Sequence, residues 1–286
     1  MLVATCNVNG LRAAVRKGMS GWLESTRPDV LLLQEVRAPE ELVPTLIGSG
    51  YQIVQHASRI AGRAGVAVCV LESLPIGEVR IGLDAGLAPG APEPDVDTGR
   101  WVEVNVPDLG TTFVSAYLHS GVANDAAKME AKYSHLTRVE SRLRELLQGT
   151  QAGAAPAPET ARHVIVAGDF NIVHTERDIK NWKSNHNKTA GVLDDEIAYL
   201  DRWINDLGWV DVQRRLAGDI QGPYSWWSQR GKAFDNDAGW RLDYQLADPE
   251  LAQGAVSARV ERASSYSERW SDHAPVVIQY EVEDAK

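Results

Sequence analysis

Short apolar runs rich in β-branched residues recur along the chain at 2–8, 29–33, 66–71, 101–106, 112–118, 163–167, 242–247 and 275–280. They are strand-length, and several lack polar alternation, as expected of strands buried on both faces. Helical periodicity is rarer. It is clearest over 125–147, where Tyr133, Leu136, Leu143 and Leu147 share one face and Glu140 stands four residues before Arg144. Weaker helical patterns cover 11–25, 39–46 and 194–207. Strands dominate and helices occur in both halves, so the pattern predicts a sheet-based α/β layered fold rather than a helical bundle or a pure β-sandwich.

Two segments break the pattern by composition: 84–99, rich in Gly, Pro and Asp, and 149–160, rich in Ala, Pro and Gly. Both read as flexible surface loops. The second resembles a domain linker, but polar residues with catalytic chemistry lie on both sides of it, so residues 1–286 are expected to form one domain. No run approaches the length of a membrane span, and the N-terminus lacks the layout of a secretory signal, which predicts a cytoplasmic protein. Two cysteines, Cys6 and Cys69, exclude a disulfide scaffold or a cysteine zinc site and are expected to be buried thiols. The net charge of −10 opposes long-range attraction to phosphate, so a nucleic-acid partner would need a local basic patch. The segment 180–188, with three lysines and no acid, is such a patch, or else a solvated loop.

Polar residues recur where the apolar runs end, the usual location of sites in α/β folds. Asn7 follows the first run, Gln34 and Glu35 the second, and Tyr117 and His119 lie at the end of the fifth. Gly168-Asp169-Phe170-Asn171 follows the sixth, and Ser271-Asp272-His273 precedes the last. Each residue alone has a structural alternative as a cap, a turn or an arginine partner. Together they supply the parts of a metal-assisted phosphodiester hydrolysis. Mg²⁺ takes hard oxygen ligands and keeps waters, which suits Glu35, Asp272 and Asn7. A carboxylate beside an amide can orient and deprotonate water, which suits Asp169 and Asn171. A histidine held protonated by a carboxylate can stabilise phosphoryl oxygens, which suits His273 with Asp243. A zinc hydrolase is the weaker reading, because the histidines lack short ligand spacing.

With these residues assembled, the chain resembles the exonuclease III family of apurinic/apyrimidinic (AP) endonucleases, within the wider endonuclease/exonuclease/phosphatase superfamily. The resemblance runs through Thr5-Cys6-Asn7-Val8-Asn9-Gly10-Leu11-Arg12, Leu33-Gln34-Glu35, Gly65-Val66-Ala67, Gly168-Asp169-Phe170-Asn171-Ile172, Gly239-Trp240-Arg241-Leu242-Asp243-Tyr244 and Ser271-Asp272-His273-Ala274-Pro275. Glu35 and the Ser-Asp-His triplet alone indicate only the superfamily. The Asn-Gly-Leu-Arg and Gly-Trp-Arg-Leu-Asp-Tyr runs point to its DNA-repair branch.

The resemblance implies a four-layered α/β sandwich of two facing mixed sheets flanked by helices. It implies Asn7, Glu35 and Asp272 at Mg²⁺ (or Mn²⁺), Asp169 and Asn171 at the attacking water, and His273 with Asp243 at the phosphate. It makes Tyr117 an active-site tyrosine, although a core tyrosine would read the same in sequence. Trp226, Trp240 and Leu242 match the walls of a pocket for a flipped-out abasic sugar. Arg100 and the 180–188 loop, Lys183 foremost, match regions that contact DNA phosphates. The implied activity is cleavage 5′ to abasic sites in double-stranded DNA, leaving a 3′-hydroxyl, with 3′–5′ exonuclease and 3′-phosphatase side activities acting at 3′ ends, by a monomer. The alternatives are a phosphatase or phospholipase of the same superfamily and a non-catalytic nucleic-acid-binding relative. Leu118-His119-Ser120-Gly121 replaces the Pro-Gln-Gly run that some members of the family carry after the tyrosine.

Overall fold

A computed structural model describes residues 1–88, 90–150 and 162–281. Its strands are β1 (Leu2–Asn7), β2 (Val30–Gln34), β3 (Tyr51–His56), β4 (Val66–Leu71), β5 (Val79–Ile81), β6 (Trp101–Val106), β7 (Thr111–Tyr117), β8 (His163–Asp169), β9 (Val210–Asp211), β10 (Asp243–Ala247), β11 (Ala255–Val260) and β12 (Val276–Tyr280). They form two six-stranded sheets, in the orders β11-β12-β1-β2-β4-β3 and β5-β6-β7-β8-β10-β9. Each sheet has one parallel pair at its centre, β1 with β2 and β7 with β8, and antiparallel pairs outside it.

The sheets face each other across Val3, Val30, Leu32, Val66, Val68, Val102, Phe113, Ile165 and Ile278. The intervening residues point outward. Ala4, Leu31, Leu33, Ala67 and Cys69 pack against the helices α1 (Leu11–Arg16), α2 (Met19–Thr26) and α3 (Val43–Ile47). On the other sheet, Val114, Val164, Val166 and Leu246 meet Leu136, Leu143 and Leu147 of α4 (Ala126–Thr150) and Leu200 of α6 (Asp194–Asp201), α5 being the short turn Trp182–Asn185. The remaining helices are α7 (Val212–Ala217) and α8 (Pro249–Gln253). These are the four layers anticipated. Burial of both strand faces explains why the runs lack polar alternation.

Two expectations are corrected and one is met. The helical pattern over 11–25 is two helices, broken at Gly18, whose φ of 110° lies in the left-handed region. The π turn Arg202–Asp206 extends α6, completing the pattern at 194–207. The 84–99 segment is anchored rather than free: Asp97 and Thr98 are buried, and Glu93 Oε1 accepts from Leu83 N at 3.0 Å. The anticipated loop at 149–160 lies, beyond residue 150, outside the described residues.

A few buried polar side chains cross between the sheets and fix their relation. Gln34 Nε2 donates to Ser115 Oγ at 3.0 Å, and Ser115 Oγ donates to Leu33 O at 2.9 Å. Gln245 Nε2 donates to Val3 O and Val276 O at 3.2 and 3.1 Å. In a dry interior such bonds are specific because leaving one unmade costs more than making it gains.

Candidate active site

The parallel pairs of both sheets end at the same edge of the sandwich, delivering Asn7 from β1, Glu35 just past β2, Tyr117 from β7 and Asp169 from β8. The antiparallel neighbours β10 and β12 begin there, so Asp243 stands directly opposite Asp169 in the sheet and Asp272 and His273 lead into β12. Gly168 is demanded by this arrangement. Its φ is 146°, and a Cβ would lie 1.9 Å from Ala116 O in the adjacent parallel strand. Glu35 and Asn171 also adopt left-handed φ values, 50° and 52°, which aim both side chains off their strand axes.

The edge opens into a cleft of about 680 Å³ lined by Glu35, Tyr117, Asp169, Asn171, Asp272 and His273, with Trp226, Trp240 and Leu242 among its walls. His273 Nδ1 lies 2.7 Å from Asp243 Oδ2, and its Nε2 faces Asp169 Oδ2 at 3.7 Å. Tyr117 donates from its hydroxyl to Glu35 Oε1 at 2.6 Å, and Arg37 contacts the other oxygen of that carboxylate. Asp169 Oδ1 accepts from Asn171 N at 2.9 Å, while Asn171 Nδ2 is spent on Leu118 O at 2.9 Å. Asp272 accepts from Asn9 Nδ2 at 2.9 Å and from Trp226 Nε1 at 3.2 Å.

Burial and charge tune these groups in opposite ways. Burial pushes the Asp169 carboxyl up to about 7, with Asp243 and Glu35 adding repulsion that His273 only partly offsets. Burial alone would lower His273, but Asp243 and Asp169 outweigh it and push the imidazole up to about 10. The site therefore holds an imidazolium beside a carboxyl group that titrates near neutrality. Burial likewise raises Tyr117 well above its ordinary value, reinforced by Glu35, so its hydroxyl remains a donor. Asp272 stays below its usual range, because His273, Asn9 and Trp226 overcome the effect of its burial.

Glu35, Asp169 and Asp272 offer hard oxygen donors on one cleft, the chemistry of a Mg²⁺-type site. Asn7 stands among these acids. Its Nδ2 donates to Glu35 Oε1 at 3.1 Å and Asp169 Oδ2 at 2.9 Å, and its Oδ1 already accepts from Asn9 N at 2.9 Å. Its amide N–H groups serve the acids, since clustered carboxylates draw N–H donors. Repulsion also keeps the acids apart. Among the described residues, the group whose potential ligand atoms already converge is instead Asp97, His119 and His135.

On the cleft wall Trp226 and Trp240 meet edge to face, ring centroids 5.5 Å apart, beside buried Leu242. Trp227 turns away and packs on Phe234. The proposed phosphate contacts are less direct. Arg100 lies over the Tyr117 ring, 4.8 Å from its centroid, and donates to Val96 O at 2.8 Å. Lys183 borders a separate depression with Lys180 and Gln221, while Lys188 lines the cleft itself.

Sequence reasoning passed over Lys132. Fully buried on α4, its Nζ reaches Glu196 Oε1 at 2.7 Å, Asn171 O at 3.0 Å and Ser120 O at 3.2 Å. Glu196 Oε2 in turn accepts from Gly191 N at 2.5 Å and Leu193 N at 3.1 Å. The pair thus ties both lips of the cleft to the Asn171 turn. The available signal was a lysine four residues before Leu136 on the apolar face of an amphipathic helix, where only a paired charge is stable.

Residues 4–273 match the model of the Endonuclease/Exonuclease/phosphatase family. The chain is 30% identical over 279 residues to an exodeoxyribonuclease of Bacillus subtilis, covering 97% of this chain and 98% of that one. Its fold matches that of an AP endonuclease from Archaeoglobus fulgidus, with a TM-score of 0.80 and 25% identity over 99% and 100% of the two chains. It also matches a Neisseria 3′ phosphatase bound to a product DNA hairpin, with a TM-score of 0.82, 23% identity and the same coverage. The second of these shows fold alone. No helix among the described residues is long and apolar enough to cross a membrane. Its family match, its homology over nearly the whole length and its two-sheet architecture all agree: this chain belongs to the endonuclease/exonuclease/phosphatase family.

Proposed function

We propose that this protein is a DNA-repair nuclease that hydrolyses the phosphodiester 5′ to an abasic site in duplex DNA, leaving a 3′-hydroxyl. Trimming and dephosphorylation of 3′ ends are side activities of the same centre. The observation that carries the reading is the buried Asp243–His273–Asp169 array beside the Trp226, Trp240 and Leu242 wall in one cleft. A polar centre suited to phosphoryl transfer adjoins an apolar recess suited to a sugar that lacks a base. Resemblance to an exodeoxyribonuclease and to an AP endonuclease supports the same substrate class.

A Mg²⁺ (or Mn²⁺) ion held by Glu35 and Asp272 would supply Lewis-acid stabilisation of a phosphate oxygen. The protein's own groups divide the remaining work. Asp169, titrating near neutrality, accepts the proton of the attacking water, because a base matched to the operating pH is the most effective. Any water held by the Asn171 side chain meets its Oδ1, since Nδ2 is engaged. His273, kept protonated and oriented through Nδ1 by Asp243, places Nε2–H toward the phosphoryl oxygens. Tyr117 holds Glu35 in the free enzyme and is within the cleft to donate to a phosphate oxygen. Lys188, on the cleft lip, gives the strand a local positive contact in a protein of net charge −10.

The test is a duplex carrying one abasic site, incubated with Mg²⁺ or with a chelator. Cleavage on the 5′ side in Mg²⁺ alone is expected; an intact strand in both samples overturns the proposal.

A further inference from the structure

Outside the cleft, three side chains from three elements converge. Asp97 ends the 3₁₀ turn Asp95–Asp97 before β6, His119 lies two residues past β7, and His135 sits mid-helix in α4. Their potential ligand atoms all lie within 4.8 Å of one another. His135 is fully buried; among the described residues its Nε2 has no hydrogen-bond partner, and its Nδ1 faces only Asp97 Oδ1, 3.4 Å away. A buried ring nitrogen left unmatched is costly and calls for an explanation.

We propose that Asp97, His119 and His135 bind a divalent transition metal of the zinc class, at a site distinct from the cation position at Glu35 and Asp272. The donor set, two imidazoles and one carboxylate, suits Zn²⁺ and its borderline neighbours. A tetrahedral Zn²⁺ with bonds of about 2.0–2.2 Å sets neighbouring ligand atoms roughly 3.3 Å apart. His135 Nδ1 already stands 3.4 Å from Asp97 Oδ1. His119 Nε2 lies closer, at 2.5 Å, in a hydrogen bond that the metal replaces, the ring proton passing to Nδ1. Its side chain is the most exposed of the three, 12% against 6% for Asp97 and 0% for His135, so it has room to withdraw.

The surroundings discriminate between metals. Arg138 holds the second oxygen of Asp97 and donates to Leu83 O at 3.2 Å, which aims Oδ1 at the two rings. The same guanidinium, with Arg100 nearby, already offsets the one carboxylate. A hard cation that depends on ligand charge gains little here, whereas one that bonds imidazole gains most of its affinity. The bound ion would join the 84–99 segment, the chain leaving Tyr117, and α4, and so brace the floor beneath the active-site tyrosine.

The experiment uses the full, tag-free chain, stripped with chelator and kept in excess Mg²⁺ to occupy hard oxygen sites. Zn²⁺ uptake is measured by calorimetry and elemental analysis, and Co²⁺ is used to read imidazole ligation from its visible spectrum. One equivalent per chain is expected in the parent and in a Glu35→Gln/Asp272→Asn double variant. In His119→Ala, whose folding is checked by circular dichroism, affinity should fall by roughly 100-fold or more. No uptake by the parent, uptake lost in the double variant, or uptake unchanged in His119→Ala would each overturn the proposal.

Discussion

Two buried charge clusters in this molecule follow opposite rules. Below the cleft, Asp178 and Asp211 meet Arg241 and Arg214: Arg241 Nε and Arg214 Nη2 reach Asp178 Oδ1 at 2.7 and 2.5 Å, and Arg241 Nη1 reaches Asp211 Oδ2 at 2.7 Å. Acids and bases are equal in number, and Thr175 satisfies the second oxygen of Asp178 at 2.9 and 3.0 Å. At the cleft, among the described residues, the close ion pairs of Glu35, Asp169 and Asp243 are made with Arg37 and His273, and Asp272 has none, while Lys188 stands on the lip. One cluster is compensated and its Asp178 is held well below the usual carboxylate range; in the other, Asp169 is pushed up to about 7. The Gly-Trp-Arg-Leu-Asp-Tyr run feeds both, Arg241 turning to the balanced network and Asp243 to the unbalanced one. Excess buried charge fits the cation and phosphate proposed for the cleft, and balanced charge fits a cluster that holds shape.

The comparison is broken most severely at Asp169. Asp169→Asn keeps the shape and removes the proton acceptor, so the cleavage rate should fall by roughly 10²–10⁴-fold while abasic duplex still binds. Single-turnover cleavage and a gel-shift titration measure the two, and parental rates would refute the assignment. The structural cluster should respond in the reverse manner. Arg241→Met strands Asp178 and Asp211 and should cost about 3–5 kcal/mol of stability in urea unfolding. A loss below about 1 kcal/mol would mean that Arg214 alone balances both acids.

A subtler effect is the pH dependence of the metal-free protein. Asp169 is raised to about 7, so its contribution to stability is present below its ordinary value and lost as pH climbs toward 7. His273 is raised to about 10, so its contribution is full below its ordinary value and lost as pH climbs from there toward 10. Both act in the same direction. Stability without metal, read from the melting temperature, should therefore fall between pH 6 and pH 9 by an amount on the order of 4 kcal/mol. Mg²⁺ should flatten that slope by replacing protons as the compensating charge. Melting curves that move in parallel with and without Mg²⁺ would separate the cation from these two groups.

How much of this was legible in the sequence follows the same division between core and edge. The eight strands read from apolar runs are the interior strands of the two sheets, and β3, β5, β9 and β11, which were not, are the four sheet edges. Edge strands are exposed along one side, and β11 shows it by keeping only Ala255 buried, so no continuous apolar run betrays them. Catalytic candidates were legible because strand ends concentrate them. Lys132, Glu196 and Asn9 were not, since their partners lie far away in the chain and only the folded layers bring them together. The Asp97, His119 and His135 group escaped for the same reason, its members lacking the short spacing by which metal sites are usually read.

The smallest expected effect tests whether the apolar wall selects the substrate. Trp240 stands edge to face with Trp226, and Trp226 donates to Asp272, so the wall and the proposed cation site share a side chain. Trp240→Ala would enlarge the recess while leaving Asp169, Asp243 and His273 in place. A recess that excludes a base by size should then admit intact nucleotides more readily, and the preference for abasic over undamaged duplex should fall by roughly tenfold, within the range a size-selective pocket provides. Competitive cleavage of the two duplexes measures this ratio. If both rates drop together with the ratio unchanged, the tryptophan positions Trp226 and Asp272 rather than reading the lesion, and the specificity must lie in the DNA-contacting lip around Lys188.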